Sequence, residues 1–138
     1  MTETVLVDTS ALYAYLDAAD EQHTLALDRM RRLFDSVAAN ERAALTHSSV
    51  VVESVALVQR RLGMEAVRDL LDNVLSPIEV RFVDADLHTR AVVALLAADR
   101  RDISLVNWTS FELMRELRID HALAFDDDFA DHGFELYG

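Results

Sequence analysis

The chain has 138 residues, 51% of them hydrophobic, which suits a single domain over 1–138 with a sizeable core. It contains no cysteine, which excludes disulfides and thiolate metal sites and agrees with a reducing, cytoplasmic setting. A formal net charge of −12 excludes a protein that coats nucleic acid with its whole surface; any phosphate contact must be local and made by arginines, since all 13 cationic side chains are Arg.

The start MTETVLVDTS has no basic segment followed by a long apolar run. No later stretch approaches the roughly eighteen apolar residues of a membrane span, so a soluble protein without membrane contact is expected. Three Gly and one Pro leave no room for linkers, so most residues should lie in regular elements joined by short loops. Thr4 to Val7 reads as a buried strand, and Ser10 as the N-cap of a helix over Ala11 to Leu16. Asp20 to Ala38 has helical spacing, with Leu25, Leu27, Met30, Leu33, Phe34 and Val37 as its apolar side. Ala44 to Thr46 is a second strand, and Ser48 or Ser49 caps a helix that runs through Arg61 and ends near Gly63.

Glu65 to Val74 continues as a helix, and Pro77 breaks it before a less buried strand over Ile78 to Val83. Asp84 to Asp99 is helical, Ser104 to Val106 is too short to classify, Thr109 to Leu117 is a helix and His121 to Phe125 a strand. Strands that alternate with helices imply parallel pairing and right-handed crossovers, hence a three-layer α/β/α domain with a central, mainly parallel sheet. In such sheets ligands bind beyond the carboxyl ends of the strands.

Two strands deliver acids to that edge: Asp8 follows Val5 to Val7, and Asp126, Asp127 and Asp128 follow Ala122 to Phe125. Glu53 interrupts the apolar stretch from Val50 to Val58, where an ionised carboxylate is costly unless it is paired, solvated in a cleft or next to a metal. Each acid also has a plainer reading. Asp8 and Asp126 are equally readable as helix caps, and Glu53 as a solvated residue or an ion-pair partner of Arg60. The acidic run is not an EF-hand, because the required Gly and distal Glu are missing. Taken together, the acids suggest an oxygen-ligand site of the kind Mg²⁺ or Mn²⁺ prefers.

The stretches VLVDTSALYAYLD, SSVVVESVALVQRRLG, LVNWTSFELMRELRIDHALAFDDDF and GFELYG resemble, in order and over nearly the whole chain, the motifs of PIN domains, in particular of VapC-like toxins. The resemblance implies that Asp8, Glu53, position 107 and Asp126 form the acidic set, with Asp8, Asn107, Asp126 and, further, Glu53 and Asp128 as metal ligands. It also places the hydroxyls of Thr9 and Ser110 near the site, where they would orient ligands or bind phosphate; capping is their plainer role. Asn107 departs from the family's aspartate. It keeps an oxygen but loses a charge and adds an amide donor.

The activity implied is Mg²⁺-dependent (or Mn²⁺-dependent) hydrolysis of an RNA, with transfer or ribosomal RNA as the expected substrate. The resemblance further implies a homodimer and an antitoxin partner, clamped on exposed apolar surface around Leu25 to Phe34. The alternative is a PIN-fold protein that binds RNA or antitoxin but is catalytically impaired by Asn107. Other acidic-site folds each lack a required group: Asp8-Thr9-Ser10 has no second Asp for a phosphoaspartate hydrolase, and the chain has no Lys for a receiver domain. Trp108 is a candidate base-stacking residue that reads more simply as core, and the five histidines show no metal-binding pair.

Overall fold

The computed structural model describes residues 2–138. In chain order the elements are β1 (Glu3–Val7), α1 (Thr9–Leu16), α2 (His23–Ala38), β2 (Arg42–His47), α3 (Ser48–Leu62) and α4 (Met64–Asp69), the last extended by a π-helical turn (Leu70–Val74). There follow β3 (Ile78–Arg81), α5 (Ala85–Ala98), α6 (Leu105–Leu117), β4 (His121–Leu123), α7 (Asp128–Asp131) and β5 (Glu135–Leu136).

The strands form one parallel sheet in the order β3-β2-β1-β4-β5. The chain steps outward from β1 to β3 and then returns through α5 and α6 to lay β4 on the other side of β1. The strand order therefore reverses between β1 and β4, which is where parallel sheets open a crevice. Strand alternation feeds two cores. Val5 and Val7 pack with Leu12, Met30, Leu33, Val50 and Val58 of the first helical layer, while Leu6 and Leu45 pack with Leu87, Ala91, Phe111 and Met114 of the second. This is the expected three-layer α/β/α arrangement.

Several local expectations are corrected. The N-cap of α1 is Asp8, whose side chain accepts from the Ser10 amide; the helix starts at Thr9, so Ser10 lies inside it. Neither Ser48 nor Ser49 caps α3. The cap is His47, through Nδ1 accepting from the Val50 amide. Asp20 to Gln22 form a turn before α2, held by Asp20 accepting from the Gln22 amide. The unclassified Ser104 to Val106 opens α6, with Ser104 capping through the Asn107 amide. Strand β3 stops at Arg81, leaving Phe82 84% exposed, and β4 stops at Leu123. Gly63, with φ 95°, ends α3 as expected.

The early helices also differ from expectation in their apolar side. Met30 and Leu33 are fully buried, Leu27, Phe34 and Val37 are half-buried, with Phe34 edge-on against Tyr15, and Leu25 is 46% exposed. The helical period correctly marked one face, but its centre belongs to the core and only its margin offers surface. Among the described residues, no helix is long and apolar enough to cross a membrane.

Candidate active site

A cleft of about 490 Å³ opens at the carboxyl edge of the sheet, lined by Asp8, Thr9, Ser10, Glu53, Ala56, Leu57, Arg60, Ser104, Asn107 and Asp126. The register of the sheet explains the pairing of Asp8 with Asp126. β1 and β4 are neighbours, and the Asp8 amide donates to the Leu123 carbonyl at 3.0 Å, so the two loops leave the sheet side by side. Glu53 arrives from α3, whose residues 53, 56, 57 and 60 share one face by helical spacing. Glu53 pairs with no arginine among the described residues, which leaves the cleft reading over the ion-pair one.

Asp8 is 3% exposed. Its Oδ2 accepts from the Ser10 amide at 3.1 Å and from the Ser10 hydroxyl at 2.7 Å, whereas Oδ1 is buried with no hydrogen-bond partner. Burial pushes its carboxyl up to about 6; the Ser10 hydroxyl opposes the shift, and the charges of Asp126 and Glu53 add to it. The carboxyl of Asp126 is also held above the ordinary range, first by burial and then by the charge of Asp128. Capping and site membership are thus not rival roles for Asp8: one oxygen caps the helix and the other is left for something else.

Ser10 does more than sequence reasoning assigned to it. Its Oγ donates to Asp8 and accepts from the Phe125 amide at 3.0 Å, so one hydroxyl fixes the loop carrying Asp126 to the carboxylate of Asp8. The contact spans 115 positions, and no local pattern announces it. Thr9 lines the cleft with its hydroxyl buried and unpartnered. Ser110 does not line the cleft. It is fully buried, donates to the Val106 carbonyl at 3.2 Å and meets His47 Nε2 at 2.8 Å. Since His47 Nδ1 accepts from the Val50 amide, the ring proton sits on Nε2 and is donated to Ser110. Burial lowers the His47 pKa to about 4.

Asn107 stands at the first turn of α6, 9% exposed, and its Nδ2 donates to Asp128 Oδ2 at 3.0 Å. A carboxylate only accepts, so the amide presents its nitrogen, not its oxygen, to this acid. Asp128 is in turn tied to Asp126, whose Oδ1 accepts from the Asp128 amide at 3.1 Å. Among the described residues, no three Asp, Glu or His side chains converge closely enough to bind a metal by themselves. Trp108 is core: it packs edge-on against Phe111 and His132.

The chain is 35% identical over 131 residues to the 23S rRNA-specific endonuclease VapC20 of Mycobacterium tuberculosis, and the match covers 94% of this chain and 95% of that protein. The chain belongs to the VapC family of PIN-domain toxins. No protein-family model matches it. The crystal structure of M. tuberculosis VapC20, described as a sarcin-ricin loop cleaving toxin, matches with a TM-score of 0.79 at 34% identity, covering 94% of this chain and 95% of that one. Two toxin–antitoxin complexes share the VapC fold alone. They are DNA-bound VapBC from Salmonella typhimurium (TM-score 0.67, 13% identity, 99% and 97% covered) and promoter-bound VapBC2 from Rickettsia felis (0.67, 12%, 96% and 96%).

Proposed function

We propose that the chain is the endoribonuclease toxin of a VapBC-type pair and hydrolyses a phosphodiester of ribosomal RNA in the acidic cleft, with Mg²⁺ or Mn²⁺ as cofactor. One observation carries the reading: the buried Asp8 carboxylate keeps Oδ1 unpartnered while burial and two neighbouring acids raise its pKa. A carboxylate in that state is stabilised by a cation. The donor set suits a hard divalent ion, with Asp8 and Asp126 to hold it and Glu53 and Asp128 at its margin. When bound, the ion supplies Lewis-acid activation of water and neutralises charge on the phosphate.

The chain's own residues do the rest. Glu53 orients the attacking water from α3. Ser10 locks the Asp8 carboxylate and the Phe125 amide in one arrangement, so the two loops are set before substrate arrives. Thr9 lines the cleft next to Asp8, with its buried hydroxyl lacking a hydrogen-bond partner. The likeness to a 23S rRNA-specific endonuclease over nearly its whole length supports the substrate class, and the likeness to VapBC complexes supports an antitoxin partner.

A second reading rests on Asn107. Its amide gives Asp128 a hydrogen-bond donor where the family's aspartate would give a further charge, so the chain as it stands holds its cation weakly and cuts slowly or not at all. The test is Mg²⁺- and Mn²⁺-dependent cleavage of 23S rRNA and of a sarcin-ricin loop hairpin by the chain, by Asn107→Asp and by Asp8→Ala. Cleavage by Asn107→Asp and none by Asp8→Ala is expected. No cleavage by any folded, antitoxin-free form would overturn the nuclease reading.

A further inference from the structure

The cleft is walled by acids, and an RNA phosphate entering it meets repulsion in a molecule already carrying a net charge of −12. A compensating cation has to be local. The arginines are mostly committed elsewhere: Arg32, Arg42, Arg81, Arg90, Arg100 and Arg115 stand within ion-pair distance of carboxylates. Arg29 and Arg61 lie over the rings of Phe125 and Tyr13. Among the described residues, only Arg60 both lines the cleft and lacks a carboxylate or ring partner.

Arg60 is exposed on α3 two helical turns after Glu53 and on the same face. Seven residues of helix place it about 10 Å along the axis from Glu53, far enough from the acids to meet a different phosphate from one held among them. An exposed guanidinium with all its donors free matches a phosphate in the bidentate geometry that lysine cannot offer.

Resting on the ribonuclease reading, we infer that Arg60 is a substrate-positioning residue, which grips a backbone phosphate flanking the scissile one and sets how far the RNA advances into the acidic cleft. Its contribution is to binding and register, not to the bond-breaking step. It also gives an acidic protein one local means of holding a polyanion at an acidic cleft.

The test uses the folded full-length chain and a sarcin-ricin loop RNA hairpin as probe, with binding measured from about 50 mM to about 200 mM salt. Arg60→Ala should weaken binding roughly fivefold at the low end, as for one exposed charged contact, and flatten the log–log salt dependence by about 0.9, the loss of one phosphate contact. Arg60→Lys should keep the slope and recover part of the affinity. Arg118→Ala, an exposed arginine at the opposite edge of the sheet, serves as the control and should leave the slope unchanged. In an Asn107→Asp background, Arg60→Ala should raise KM and spare kcat. An unchanged slope in Arg60→Ala, or an equal change in Arg118→Ala, overturns the inference while leaving the nuclease reading intact. Absence of RNA binding by the parent overturns both.

Discussion

The Asn107 amide nitrogen lies 3.0 Å from Asp128 Oδ2, so the residue that departs from the family's acidic pattern is bonded to one of the acids it should accompany. The bond has two effects. It quiets part of the repulsion in the cleft, and it spends an acid that a cation would otherwise attract.

Replacing Asn107 by Asp removes that donor and adds a charge beside Asp128 and Asp126. Cation affinity and cleavage should both rise, by roughly 10- to 100-fold, the range seen when groups around a metal site are altered. Without a cation the variant should melt below the parent, and saturating Mg²⁺ should raise its melting temperature by more than it raises the parent's. Equal melting shifts in the two proteins would count against the site.

Asp8 should make the cation-free protein less stable as pH rises. Its folded pKa, about 6, lies above the ordinary 3.8, so its contribution is fully present below 3.8 and is lost as pH climbs through about 6. The loss amounts to about 3 kcal/mol. Asp8→Asn keeps an oxygen for Ser10 and cannot ionise. Urea unfolding at pH 7 should therefore find it more stable than the cation-free parent, and indifferent to Mg²⁺ where the parent is stabilised.

His47 acts in the opposite sense. It is buried neutral, with Nδ1 accepting from α3 and Nε2 donating to Ser110. Its folded pKa is lowered from 6.5 to about 4, so its contribution is present above 6.5 and is lost as pH falls toward 4, again by about 3 kcal/mol. Between pH 4 and 6 the two residues offset each other in the parent. Asp8→Asn should expose the histidine's trend as a steep loss of stability on acidification, and a flat profile in that variant would refute the pairing.

Ser10→Ala should cost about 1–3 kcal/mol, the penalty for leaving a buried donor such as the Phe125 amide without its acceptor. It should also raise the Asp8 pKa further, because the Ser10 hydroxyl is the strongest group holding that value down. NMR titration of the Asp8 carboxyl reads this directly; an unmoved value would mean that Ser10 does not govern the charge state of the cleft.

The strand–helix alternation was legible because Val5-Leu6-Val7 and Ala122-Leu123-Ala124 are buried on both faces and so appear as unbroken apolar runs. The approach of Asp8 to Asp126 followed from the rule for carboxyl edges. What escaped was nonlocal or small. The Ser10 link joins distant stretches of chain, β5 is two exposed residues without a periodic signal, and the hydroxyl of Ser110 is turned toward His47 by packing between α3 and α6. Leu33 was visible as apolar, but burial in the core is indistinguishable by period from a face awaiting a partner.

The return of the chain to β1 has a consequence for the ribosome that makes it. β1 can pair with β2, and β2 with β3, once residue 81 has emerged, yet the other edge of β1 waits for residues 121–123. Until then the Asp8 amide lacks the Leu123 carbonyl, and Asp126 has not been translated. The two acids that meet in the cleft are far apart in the order of synthesis, so a chain released before residue 126 carries no assembled cleft, and on the proposed reading it would be harmless to the ribosome it leaves.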